Sequence, residues 1–253
     1  AFEAIATGVI AGLSAAQVGA LTSAQVTALT TAQAAALTST QTAGLTTSQA
    51  AGLESGDLNK LTTDAFAAIE PSVTAKLSST QVGALTSTQV TALTTAQAAA
   101  LTSTQSVGIT TSQTAALETA DLSALTTGAF AALAPSVVAT LSGSQMGALT
   151  SEQVTALTTG QAAALTSTQA AGITTTQTAA LESGDLNKLS TSAFEALATD
   201  VVAGLSGTQM GALTSAQVTA LTTSQAAALT ATQAGGITTS QTAALESGDL
   251  NKL

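Results

Sequence analysis

Leu21-Thr22-Ser23-Ala24-Gln25-Val26-Thr27-Ala28 is the stretch whose reading decides the fold. Thr22-x-x-Gln25 has the spacing of a capping box, in which the Thr hydroxyl accepts from the N3 amide and the Gln side chain reaches back to the N-cap amide. Leu21 then stands at N′ and Val26 at N4, the pair that forms a hydrophobic staple. Three signals agree on one helix start. The same spacing returns at Thr30/Gln33, Thr38/Gln41 and Thr46/Gln49, so a new helix is expected with every octad, leaving about six helical residues before the next cap. Pro71 and Pro135 fall at the octad position of Ser23, where N1 tolerates proline and a helix interior does not. Turns this short are unstable alone and must be held by stacking on neighbours.

The octad runs the length of the chain. Leu or Ile occupies position 5 and every eighth position after it to Leu253, 32 positions without a slip; a linker would break that phase. A second period lies over the first. VTALTT recurs at 26–31, 90–95, 154–159 and 218–223, each time followed by QAAALT, so the larger unit is eight octads. It divides the chain into super-repeats 13–76, 77–140 and 141–204 and a partial one, 205–253, while residues 1–12 match the end of a preceding unit, with Phe2, Phe66, Phe130 and Phe194 in phase. The expectation is one continuous array over 1–253, cut from a longer one. Within a super-repeat five octads follow the formula, the sixth carries Asp in place of Gln, the seventh carries the Phe, and the eighth departs furthest.

The fold class predicted is all-α, a solenoid of very short helical turns on an eight-residue repeat with a 64-residue super-repeat. One continuous helix would rotate the Leu by roughly 80° per octad and smear the stripe around the cylinder. A β-solenoid suits the even period and the many Thr, but handles the Ala-rich segments and the Thr-x-x-Gln boxes poorly. Leu and the N4 residue are expected inside, with Thr, Ser and Gln outside; Ala28, Gly44 and Gly52 would let turns approach closely. The longer period would mark either a full superhelical turn or a lateral contact surface.

Composition narrows the function. Only 7% of residues are charged and the net charge is −10, which is unlike an ordinary globular domain. Four lysines and no arginine leave nothing to neutralise a phosphate backbone, so nucleic acid is excluded as a partner. No apolar run reaches the ~20 residues of a membrane span. Without Cys or His, the common catalytic triads and His-ligated metals are impossible, and no G-x-S-x-G elbow or Ser/Lys pair stands out. The chain reads as a non-enzyme.

Three residue sets invite a role. Glu54 with Asp57, Glu118 with Asp121, Glu182 with Asp185 and Glu246 with Asp249 share a spacing of three, which on a short turn places both carboxylates on one side, as Ca²⁺ would use with help from Asn59, Asn187 and Asn251. The string ESGDLNKL lacks the ligand density of a calcium loop, however, and Lys60, Lys188 and Lys252 oppose a cation. A structural or solvated role is preferred: Asp57 stands at N3, the positive end of the turn, and no cofactor is required. Phe66, Phe130 and Phe194 take the N4 position and fill the inward seam. Thr pairs such as Thr30–Thr31 and Thr94–Thr95 would make hydroxyl rows suited to ice or a crystalline polysaccharide, although one Thr of each pair is already an N-cap.

The octads LTSAQVTA and LTTAQAAA resemble the Ala/Thr-rich tandem octads of very long bacterial proteins of the adhesin or surface-filament kind. The resemblance implies an extended stalk, spacer or filament subunit, extracellular or at the cell surface, whose partners are copies of itself packed laterally or end to end. A calcium-stabilised adhesin segment and a Thr-rich binding array are the alternatives.

Overall fold

In the computed structural model, residues 2–244 are described. They fold into helical turns of four to six residues, with a shorter one at Ala50–Gly52, and contain no strand. The chain forms two compact units, Ala1–Leu133 and Ala134–Leu253, and each is a solenoid of such turns.

A single octad shows why the chain turns where it does. Thr22 adopts an extended backbone (φ −72°, ψ 156°), its hydroxyl accepts from the Gln25 amide at 3.2 Å, and Gln25 Oε1 accepts from the Thr22 amide at 2.8 Å. The helix Ser23–Thr27 follows and stops at Ala28. Leu21 precedes the cap, and Val26 is buried behind it. The reciprocal box is repeated in both units, for example at Ser78/Gln81 and Thr94/Gln97 in the first and at Ser206/Gln209 and Thr222/Gln225 in the second. Pro71 and Pro135 open the helices Pro71–Thr74 and Pro135–Val138, at a position that has no intrahelical acceptor to lose.

Within each unit, turns stack against those three octads later. In the first unit Ala15–Gly19 packs on Ser39–Thr42, which packs on Thr63–Ala67; in the second, Gly143–Gly147 packs on Ser167–Gly172 and that on Thr191–Glu195. Glutamine side chains bond backward across three and a half to four octads, as from Gln49 to Leu21 and Val18, so a coil closes after three to four octads. The period of eight octads is therefore longer than a single coil.

Inside, the Leu column and the N4 residues form a narrow core: Leu37, Leu45, Leu61 and Ile69 in the first unit, Leu165, Leu189 and Leu205 in the second, with Phe66, Phe130 and Phe194 all wholly enclosed. One expectation fails here. Beyond the half-buried Gln25 and the exposed Gln17, the N3 glutamines do not cover the outside; Gln33, Gln49, Gln97, Gln161 and Gln225 are buried. The physical reason is that the amide has hydrogen-bond partners inside for both its oxygen and its nitrogen, as at Gln49 and Gln97. The surface is left to the N-cap, N1, N2 and N5 positions, mostly Thr, Ser and Ala. Among the described residues no helix is long and apolar enough to cross a membrane.

Candidate functional site

The N3 glutamine is the most heavily used side chain in the fold. Gln49 Oε1 accepts from the Thr46 amide (2.8 Å), closing its own cap, while Nε2 donates to the carbonyls of Val18 (2.8 Å) and Leu21 (2.7 Å) in the coil before. Gln97 does the same to Phe66 (3.1 Å) and Ile69 (2.7 Å), and Gln105 to Thr74 (2.7 Å) and Leu77 (2.8 Å). In the second unit Gln217 reaches Leu186 and Leu189, and Gln233 reaches Val202 and Leu205. One amide thus satisfies a helix start in its own coil and two carbonyls in the previous one, so local and long-range order share a side chain. Capping-box spacing reveals the first role in sequence. Nothing in the sequence marks the second, because the partners are backbone carbonyls.

Glycine supplies the second device. A methyl group on Gly83 would lie 2.6 Å from the Gly108 carbonyl oxygen, and one on Gly108 would run into the Ser79 backbone. Gly19/Gly44, Gly147/Gly172 and Gly211/Gly236 repeat this close approach. The separation is the same in every pair, and each pair lies one super-repeat from the next, so the longer period sets the places where two turns meet backbone to backbone. The sequence carries that signal in the spacing of its glycines.

The acidic pairs separate in space. Glu54, Glu118 and Glu182 are exposed N-cap residues, whereas Asp57, Asp121 and Asp185 are only 3%, 2% and 4% exposed, each with one carboxyl oxygen enclosed and unpaired. Burial pushes all three Asp carboxyls above their ordinary value, and the neighbouring Glu54, Glu118 and Glu182 add to the shift; at Asp121 a hydrogen bond from Thr95 acts in the opposite direction. With one carboxylate outside and one inside, a pair does not present a joint face to a cation. Among the described residues no three metal-ligating side chains of the His, Cys, Asp and Glu kinds come together. Glu246 and Asp249 lie outside the described residues.

The concave surfaces of the two units are plain. In the first unit a cavity of about 20 Å³ lies among Leu77, Val82, Leu85, Leu93, Leu101 and Ile109, apolar and no larger than a water needs. Open grooves run past Glu54, Ser55, Lys76, Ser78 and Thr80 and, in the same register of the second unit, past Glu182, Ser183, Gly204, Ser206 and Thr208. Neither combines a nucleophile, a base and an enclosed pocket.

Segments 2–31, 50–95 and 178–215 match the family model of the ALTTAQ repeat. The matches include octads of the regular formula and the Asp, Phe and Pro octads of the first super-repeat. No curated protein matches the chain. The chain is an Ala/Thr-rich tandem-repeat module with an all-α repeat fold.

Proposed function

We propose that the chain is a building element of an extended assembly, a filament subunit or a surface stalk. One observation carries this reading: the same two-pronged Gln bridge to the preceding coil recurs in both units, at Gln49 and Gln105 in the first and at Gln217 and Gln233 in the second. Length is gained by adding equivalent nearest-neighbour interfaces. The exterior supports the role as well, since short hydroxyl and methyl side chains with few charges let copies pack sideways without repulsion from bulky or like-charged groups. An extracellular or cell-surface location follows from the resemblance to adhesin-like and filament octads and belongs to the same proposal.

A Thr-rich array for ice or crystalline polysaccharide ranks second. The N-cap hydroxyls that would form its rows are already engaged: Thr38 Oγ1 accepts from the Gln41 amide and donates to Gln41 Oε1, and Thr86 Oγ1 pairs with Thr88 Oγ1. Sedimentation velocity across a concentration series, followed by cryo-EM of the largest species, tests the proposal. Ordered lateral or end-to-end assemblies, or isolated rigid rods, support an assembly element or a spacer. Compact monomers that inhibit ice recrystallisation or sediment with cellulose would replace it with the binding array.

A further inference from the structure

Three features of the sixth octad coincide. Asp57, Asp121 and Asp185 occupy the N3 position that Gln holds elsewhere, each is more than nine-tenths buried, and each keeps one enclosed carboxyl oxygen without a hydrogen-bond partner. The register of the Gln bridges assigns to these positions the carbonyls of Val26 and Leu29, Val90 and Leu93, and Val154 and Leu157. An amide at N3 offers such carbonyls two hydrogens, a carboxylate none, and a carboxylic acid one.

The turns packed against the Asp turns bring no cation; exposed Lys76 lines the open groove beside Glu54 and Ser55, and Thr140 and Gly204 stand in its place in the next two super-repeats. Ser55–Leu58 packs against Thr31–Ala35 and Ser79–Gly83, Thr119–Ala124 against Thr95–Ala100, and Ser183–Leu186 against Thr159–Ala164 and Gly207–Ala212; none of these neighbouring turns contains a charged residue. On the Asp turns themselves stand the like-charged Glu54, Glu118 and Glu182, with exposed Lys60 and Lys188 at the far ends of two of them. The second super-repeat has Ala124 in the lysine position and keeps its Asp, so pairing with lysine does not account for the acid.

The geometry points to a proton-dependent joint at Asp57, Asp121 and Asp185: the buried Asp carboxyl holds its proton in the folded stack and presents its O–H toward the upstream coil in place of the missing Gln amide. Ionisation removes that donor and leaves an unpaired charge inside, loosening the contact between coils at these three places. The upward displacement of all three carboxyls by burial agrees with this. For an acid whose folded pKa is raised, the stabilisation is fully present below the unfolded value of 3.8 and is lost as pH rises through the folded value. Acid tightens the stack, and a charged Asp acting on the helix dipole would do the opposite.

The test has two measurements on the full chain. Carbon-13 NMR titration of the Asp carboxyls in the unmodified protein gives midpoints for Asp57, Asp121 and Asp185 directly. Thermal melts between mildly acidic and neutral pH then compare it with the triple variant Asp57→Asn, Asp121→Asn, Asp185→Asn. Midpoints above 3.8 are expected, together with a triple variant whose Tm is higher at neutral pH by roughly 2–4 °C per substitution and nearly flat across the range. Midpoints at or below 3.8, or a triple variant that melts lower at neutral pH with the pH slope unchanged, would overturn the joint. Should the variant not fold, the titration of the unmodified chain decides alone.

Discussion

Two kinds of interface alternate along each unit, and the octads of residues 54–77 have one on either side. Downstream, Gln89, Gln97 and Gln105 bridge back to the carbonyls of Leu58 and Leu61, Phe66 and Ile69, and Thr74 and Leu77. Upstream, the N3 positions hold Asp57, Ala65 and Val73, so no glutamine stands in register with the carbonyls of 26–45. That side is held by wholly enclosed Leu58 and Phe66, with a hydrogen bond from Thr42 Oγ1 to the Ala65 carbonyl (2.6 Å). The second unit repeats the contrast, with Gln217, Gln225 and Gln233 downstream of Asp185, Ala193 and Val201. Hydrogen bonds fix register residue by residue, whereas apolar packing is non-directional. A bridged interface alternating with a packed one lets a chain of near-identical octads hold a defined register without making every interface alike.

The largest loss is expected on the apolar side. Phe66→Ala is expected to cost about 3–5 kcal/mol, seen as accelerated hydrogen exchange confined to the coils that pack on Thr63–Ala67. Next comes Gln97→Leu, which keeps the volume but strands the Thr94 amide and the Ile69 carbonyl, while the Phe66 carbonyl keeps the Ile69 amide as donor; each buried group left unpaired costs roughly 1–3 kcal/mol. If Gln97→Leu proved neutral in denaturant unfolding, the bridged side would owe its strength to packing as well. Gly108→Ala forces a methyl against the Ser79 backbone and should lose about 1–3 kcal/mol, with the mass-resolved exchange change centred on 79–83 and 103–109. Thr94→Ala removes one cap and leaves the Gln97 bridge in place, so about 1 kcal/mol is expected from the shift in melting midpoint.

Sequence and structure meet where the physics is local. The helix starts at Thr22 and Thr94, proline at the first turn and the strict Leu column all follow from near neighbours in the chain. What escapes is what depends on distance along it. Polarity alone assigns the glutamines to the surface, and their partners in the preceding coil are carbonyls that every residue possesses. The number of octads per coil is likewise unwritten in a pattern whose period is eight throughout. Burial of Asp57 and exposure of Glu54 depend on which side of a short turn meets the next coil, and a spacing of three does not state that. The glycine pairs are readable, since Gly83 and Gly108 return one super-repeat later as Gly147 and Gly172, but only once the separation within a pair is known to match the rise from one coil to the next.

The glutamine bridges described above reach only backward, toward residues already made. A chain leaving the ribosome from its N-terminus therefore finds the acceptors for a new coil in place when that coil emerges, and nothing still to be synthesised is needed to close it. The same one-way dependence bears on inheritance. Unequal recombination between the near-identical super-repeats adds or deletes whole sets of donors and acceptors together, so such a gene can change the length of its product in a single event and still encode a chain that folds.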